Sequence, residues 1–143
     1  MFRSQYDHTI DTKGRLIIPN KFRELLGESF MVTKGMDGCL FAFSNDDWKE
    51  FEGKLRALPI TNKDARKFAR FFLAGAAEAE VDKQGRILLP AHLREFAQLE
   101  KDVVLVGVGS RIEIWNRDNW IEENADVDMN FIGESMESIG ITI

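Results

Sequence analysis

The segment Asp11-Thr12-Lys13-Gly14-Arg15, followed by Leu16-Ile17-Ile18-Pro19 and Arg23-Glu24, occurs twice. It returns as Asp82-Lys83-Gln84-Gly85-Arg86, Ile87-Leu88-Leu89-Pro90 and Arg94-Glu95, with every matched position displaced by the same 71 residues. A repeat of that length is a folding unit, not a short solenoid period. The chain is thereby constrained to two similar halves, each carrying one basic turn in an equivalent place. Presenting one arginine twice suits a repetitive partner better than a single catalytic pocket.

The element order repeats with the motif. Tyr6 to Ile10 and Leu16 to Ile18 read as strands around a turn punctuated by Asp11 and Gly14. Pro19 stops the second strand and suits the first turn of a helix over 20–26, which Gly27 closes. Phe30 to Thr33 and Cys39 to Phe43 flank Gly35-Met36-Asp37-Gly38, and Ser44 or Asn45 caps a helix that Pro59 ends. The second half answers with Ala79 to Val81, Ile87 to Leu89, a helix from Pro90 to Phe96, and Val103 to Val106 turning through Gly107-Val108-Gly109 into Arg111 to Trp115. Asn116 then caps a helix containing Trp120, and matching Gly107 to Gly35 and Trp120 to Trp48 implies one inserted residue.

These signals divide the chain into a first repeat (1–59), a linker helix (60–76), a second repeat (77–120) and an acidic tail (121–143). In the linker, Phe68, Phe71 and Phe72 form an apolar face and Lys63, Arg66, Lys67 and Arg70 a basic one. Thr61 with Asp64 resembles a capping box. The helix reads as packed on both halves with a solvated face, and a sharper reading lets its basic stripe touch phosphates.

Each residue of the repeated turn has a mechanical job. The aspartate accepts backbone N–H groups in an Asx-type turn, and the glycine adopts positive φ without steric cost. The arginine starts a strand and so projects from a stiff platform. Its planar fork matches phosphate oxygens, or O6 and N7 of guanine. The bland alternative is that Arg15 and Arg86 merely pair with neighbouring acids.

Net charge is −5, yet its distribution matters more than its sign. No lysine or arginine follows Arg117, whereas seven acids do: Asp118, Glu122, Glu123, Asp126, Asp128, Glu134 and Glu137. Residues 1–117 therefore hold 19 basic against 17 acidic side chains, which leaves room for a basic patch on the body. The tail reads as a solubilising or disordered extension.

Other chemistry is thin. Asp11 and Asp82 would serve a hydrolase only if they met across a pseudo-twofold axis and shared a proton. His8, His92 and the lone Cys39 make no recognisable metal set, and Cys39 reads as a buried inert thiol. Gly107-Val108-Gly109 lacks the third glycine and following helix of a dinucleotide fingerprint. Trp48, Trp115 and Trp120 read as core or interface anchors. No catalytic residue, metal or cofactor is expected. The N-terminus lacks the apolar run of a signal peptide and no stretch is long and apolar enough to span a membrane, so a cytoplasmic location is expected.

The doubled turn, with the opening Met1-Phe2 and Tyr6-Asp7-His8, resembles the MraZ family of bacterial transcriptional regulators across essentially the whole chain. The resemblance implies a mainly β fold with α decoration: two tandem AbrB-like swapped-hairpin half-units forming a pseudo-twofold, double-psi-like barrel. It also implies a nucleoid-associated repressor without a cofactor. Its partners would be double-stranded DNA, bound at closely spaced short direct repeats in the promoter of its own division and cell-wall gene cluster, and further copies of itself in a ring. Carried over by motif position, the DNA-contacting residues are Arg15 and Arg86, with Lys13 and Lys83 as helpers. Asp11, Gly14, Asp82 and Gly85 form the turns. An oligomeric protein-interaction scaffold is the alternative.

Overall fold

The computed structural model covers Met1 to Ile143. Of eight strands and six helices, all but the last helix follow the predicted order. The first repeat holds β1 (Gln5–Thr9), β2 (Arg15–Ile17), α1 (Asn20–Leu26), β3 (Ser29–Lys34), β4 (Leu40–Phe43) and α2 (Asn45–Arg56). Helix α3 (Lys63–Gly75) leads to β5 (Ala77–Glu80), β6 (Arg86–Leu88), α4 (Ala91–Phe96), β7 (Asp102–Val108), β8 (Arg111–Asn116) and α5 (Arg117–Asn124). A last helix, α6 (Met129–Glu137), lies in the acidic tail.

The repeats are interleaved. One antiparallel sheet runs β1-β7-β8-β4-β3-β5, and a separate two-stranded ribbon pairs β2 with β6. In the ribbon Leu16 stands opposite Ile87, and at the sheet centre Phe41 stands opposite Glu113. Both are pairs of repeat-equivalent residues, so one pseudo-twofold axis passes through ribbon and sheet. The expected mainly β framework of two related repeats is met. Its hydrogen-bonded ladder is a sheet plus a ribbon, with β2 tied to β1 by a bridge between Ile10 and Leu16.

Register also refines the repeat. Phe30 pairs with Ala79, and its counterpart Val103 pairs with His8. The displacement is thus 73 in β3/β7 and returns to 72 in β4/β8, because the second copy gains two residues after α4 and loses one in its hairpin. Gly107 consequently occupies the place of Lys34, opposite Ile112 as Lys34 is opposite Leu40. The sequence match of Gly107 to Gly35 slips by one, since a glycine after a strand is a weak anchor when loop lengths differ.

Both faces of the sheet are covered. On one side Leu40, Ala42, Ile112 and Ile114 pack with Leu16 and Ile87 of the ribbon and with Phe22 and Leu93 of α1 and α4. On the other, Phe41, Phe43 and Trp115 pack with Trp48 and Leu55 of α2 and Phe72 of α3. The uninterrupted apolar run Leu40-Phe41-Ala42-Phe43 is explained by this: β4 is central and all four side chains are buried. Cys39 is fully buried beside it, and burial pushes its thiol pKa far up, so it is an inert core residue.

The short-range helix-start signals at Ser44 and Asn116 hold in the structure. The Ser44 side chain caps α2 by accepting from the Asp47 N–H, and Asn116 caps α5 through Asn119. Helix α3 differs: its cap is Asn62, which accepts from the Ala65 N–H, in place of the Thr61–Asp64 box. The tail differs too. Asp128 accepts from the N–H groups of Asn130 and Phe131 and starts α6, so residues 129–137 of the solubilising or disordered extension expected from the sequence are helical.

Candidate nucleic-acid interface

The two Asp-x-x-Gly-Arg turns have nearly the same geometry. In the first, Asp11 Oδ1 accepts from the backbone N–H groups of Lys13 and Arg15, both at 2.9 Å, and Oδ2 accepts from Arg15 Nε at 2.6 Å. In the second, Asp82 Oδ1 accepts from Gln84 and Arg86 N–H and Oδ2 from Arg86 Nε, all at 2.9 Å. The Arg15 backbone N–H, with its side chain and the Lys13 N–H, holds the Asp11 carboxyl below the usual carboxylate range. The Arg86 N–H does the same for Asp82. A pair of carboxylates sharing a proton needs one pKa raised, so these lowered values argue against the hydrolase reading.

The bland reading of the arginines is half right. Each guanidinium does pair with its own aspartate, but only through Nε. The terminal nitrogens of Arg15 and Arg86 have no acceptor within the chain. The carboxylate therefore fixes the plane of the fork and leaves its bidentate edge available for a ligand.

Gly14 and Gly85 adopt φ of +85° and +78°, as the turn requires. Their carbonyls are used across the repeats: Gly14 accepts from Leu89 N–H and Gly85 from Ile18 N–H, each at 2.9 Å. Each glycine is also covered by an arginine of the other repeat. A Cβ on Gly14 would lie 2.8 Å from Cζ of Arg94, and one on Gly85 2.7 Å from Cζ of Arg23. These bracing arginines were not singled out from the sequence as site residues, although both lie within the repeated motif. Gly14→Ala or Gly85→Ala should cost about 1–3 kcal/mol, readable as a fall in chemical-denaturation midpoint, because a side chain must take the left-handed conformation and displace a packed guanidinium.

The ribbon brings the two turns together on one surface. Arg15 pairs with Leu88 and Ile17 with Arg86, so these four side chains share the outer face while Leu16 and Ile87 point into the core. The arginines occupy one diagonal, with backbones about 7–8 Å apart, the usual diagonal spacing of antiparallel strands. Lys13 and Lys83 are exposed at the two turns but are not equivalent: Lys13 corresponds to Gln84 and Lys83 to Thr12. By contrast the basic stripe of α3 is not part of this surface. Phe72 packs that helix on the opposite face of the sheet, so Lys63, Arg66, Lys67 and Arg70 lie across the sheet from the ribbon.

A family model described as "MraZ protein, putative antitoxin-like" matches residues 1–71 and again 72–137. The chain belongs to the MraZ family. A protein named transcriptional regulator MraZ from Caldanaerobacter subterraneus subsp. tengcongensis is 58% identical over 143 residues, covering 99% of this chain and all of the relative. One of the same name from Heliobacterium modesticaldum is 60% identical over 124 residues, 87% of each chain. Another, from Clostridium acetobutylicum, is 51% identical over 142 residues, 99% of this chain and all of the relative. The double match of the MraZ model agrees with the internal repeat. No helix of the chain is long and apolar enough to cross a membrane.

Proposed function

We propose that this MraZ chain is a sequence-specific DNA-binding repressor, acting on short direct repeats in the promoter of its own division and cell-wall gene cluster. The observation that carries the reading is the shared outer face of one rigid ribbon, where two carboxylate-oriented arginines keep their terminal nitrogens uncommitted. Arg15 and Arg86 would read base edges, while Lys13 and Lys83 hold phosphates. Repression would follow from occupying the site that polymerase needs. The test is anisotropy of labelled DNA from upstream of its own gene, against scrambled DNA, at two salt concentrations. Specific binding that weakens with salt supports the reading, because released counterions report phosphate contacts. Equal binding to scrambled DNA would instead favour the scaffold.

Assembly with copies of itself belongs to the same proposal. All residues from Ile121 to Ile143 are exposed in the single chain, including Phe131 at 66% and Met129 at 65%. A short helix with its apolar face in water is marginal alone and calls for a partner surface. The tail has acids and no bases, whereas the outer side of α3 offers Lys63, Lys67 and Arg70 beside the exposed Phe68. Docking of one copy's tail on the next copy's α3 is a head-to-tail contact of the kind that closes rings. A chain ending at Asn124 should lose assembly by light scattering while keeping its far-ultraviolet circular dichroism. An unchanged mass would refute this contact. A ring would present many ribbons to tandem DNA repeats, raising affinity through effective concentration.

A further inference from the structure

We infer that Ile17 and Leu88 are apolar readers of thymine methyl groups in the DNA major groove, an inference that rests on the DNA-binding reading above. Outer positions of a strand packed on a core are ordinarily polar. Here both repeats place an aliphatic side chain at the equivalent outer position, Ile17 being 43% exposed and Leu88 62%. Antiparallel pairing sets each directly opposite an arginine, Ile17 against Arg86 and Leu88 against Arg15. The outer face is thus a four-residue patch with guanidiniums on one diagonal and aliphatic groups on the other.

Whatever covers the aliphatic diagonal must also meet two guanidiniums within a few ångströms. An apolar protein surface would bury the free terminal nitrogens of both guanidiniums without acceptors, at high cost. The major groove meets both demands at once. It offers the O6 and N7 acceptors of guanine to arginine and, at thymine, the only methyl group on any base edge. It is also wide enough to admit a two-stranded β-ribbon. The minor groove is about half as wide and carries no methyl group. Buried Leu16 and Ile87 hold the ribbon from behind, so the aliphatic groups are fixed in register with the arginines.

The experiment compares the duplex from upstream of the protein's own gene with the same duplex in which thymine is replaced by deoxyuridine, which removes only the methyl groups. Wild-type protein should bind the uracil duplex more weakly, by about four-fold for each methyl contacted, the equivalent of one buried methylene-sized group. The double variant Ile17→Ser/Leu88→Ser should bind both duplexes equally and keep the wild-type salt slope, since its phosphate contacts are untouched. Wild-type binding that is indifferent to the methyl groups, yet still prefers the natural duplex over scrambled DNA, would overturn this inference alone. Loss of that preference in the wild type would overturn the DNA reading with it. A changed assembly mass in the double variant would assign the patch to a protein interface, which also overturns the inference.

Discussion

Arg15→Ala and Arg86→Ala are each expected to weaken binding to the proposed promoter repeats by roughly five- to 150-fold, since one bidentate arginine–guanine contact is worth roughly 1–3 kcal/mol. The effect should exceed that of Lys13→Ala or Lys83→Ala, whose flexible side chains supply charge without a fixed fork. Fluorescence anisotropy with labelled duplex gives the comparison directly. Folding should change little. The Arg15 and Arg86 side chains are 33% and 24% exposed, and surface ion pairs of this kind contribute about 0–1 kcal/mol. Arg15→Lys separates the roles further. It keeps the charge, and so the salt dependence, but loses both the Nε bond to Asp11 and the planar fork, so preference for the natural repeats over scrambled DNA should fall. If Arg15→Ala or Arg86→Ala bound as tightly as wild type, the pairing with aspartate would be the whole of that arginine's role.

The largest loss of stability is expected from Phe72→Ala. Phe72 is 1% exposed and sits at the centre of an aromatic cluster, with Phe41 stacked at 6.2 Å and Phe51, Phe68 and Phe71 edge-on at 5.1, 4.9 and 5.0 Å. Its carbonyl also accepts from the fully buried Thr33 hydroxyl at 2.6 Å, which ties α3 to β3. Removing the ring leaves a cavity that rigid neighbours cannot fill, a cost of about 3–5 kcal/mol. For a domain of this size the melting temperature should drop by roughly 10 °C. Affinity for DNA measured well below that transition should be near wild type, because Phe72 lies across the sheet from the ribbon. A loss of only a few tenths of a kcal/mol would mean that α3 is a peripheral linker and not part of the core.

That contrast marks how far the sequence could be read. The turn chemistry was legible because it is local: Asp11 and Asp82 bond to atoms within four residues, and Gly14 and Gly85 answer a backbone requirement set inside the same turn. Helix starts at Ser44 and Asn116 were legible for the same reason. The cap at Asn62 and the helix after Asp128 were not, because several neighbouring polar residues offered the same signal and only the final chain path chose among them. The repeat itself gave the twofold, but its slip between β3 and β7 became visible only in the strand register.

By itself, the order of residues determined that two equivalent turns exist, that each carries an aspartate, a glycine and an arginine at the same spacing, and which family the chain resembles. Periodicity alone could not say where those turns stand relative to one another. The tertiary structure decided that β2 pairs with β6, since hydrogen bonding between distant strands depends on how both halves bury their apolar faces together. That pairing places Arg15, Arg86, Ile17 and Leu88 on one outer face, sends the basic stripe of α3 to the far side of the sheet, and sets Arg23 and Arg94 over each other's glycines. A single strand shows only which residues alternate. The partner strand, which sequence distance hides, decides which of them act together.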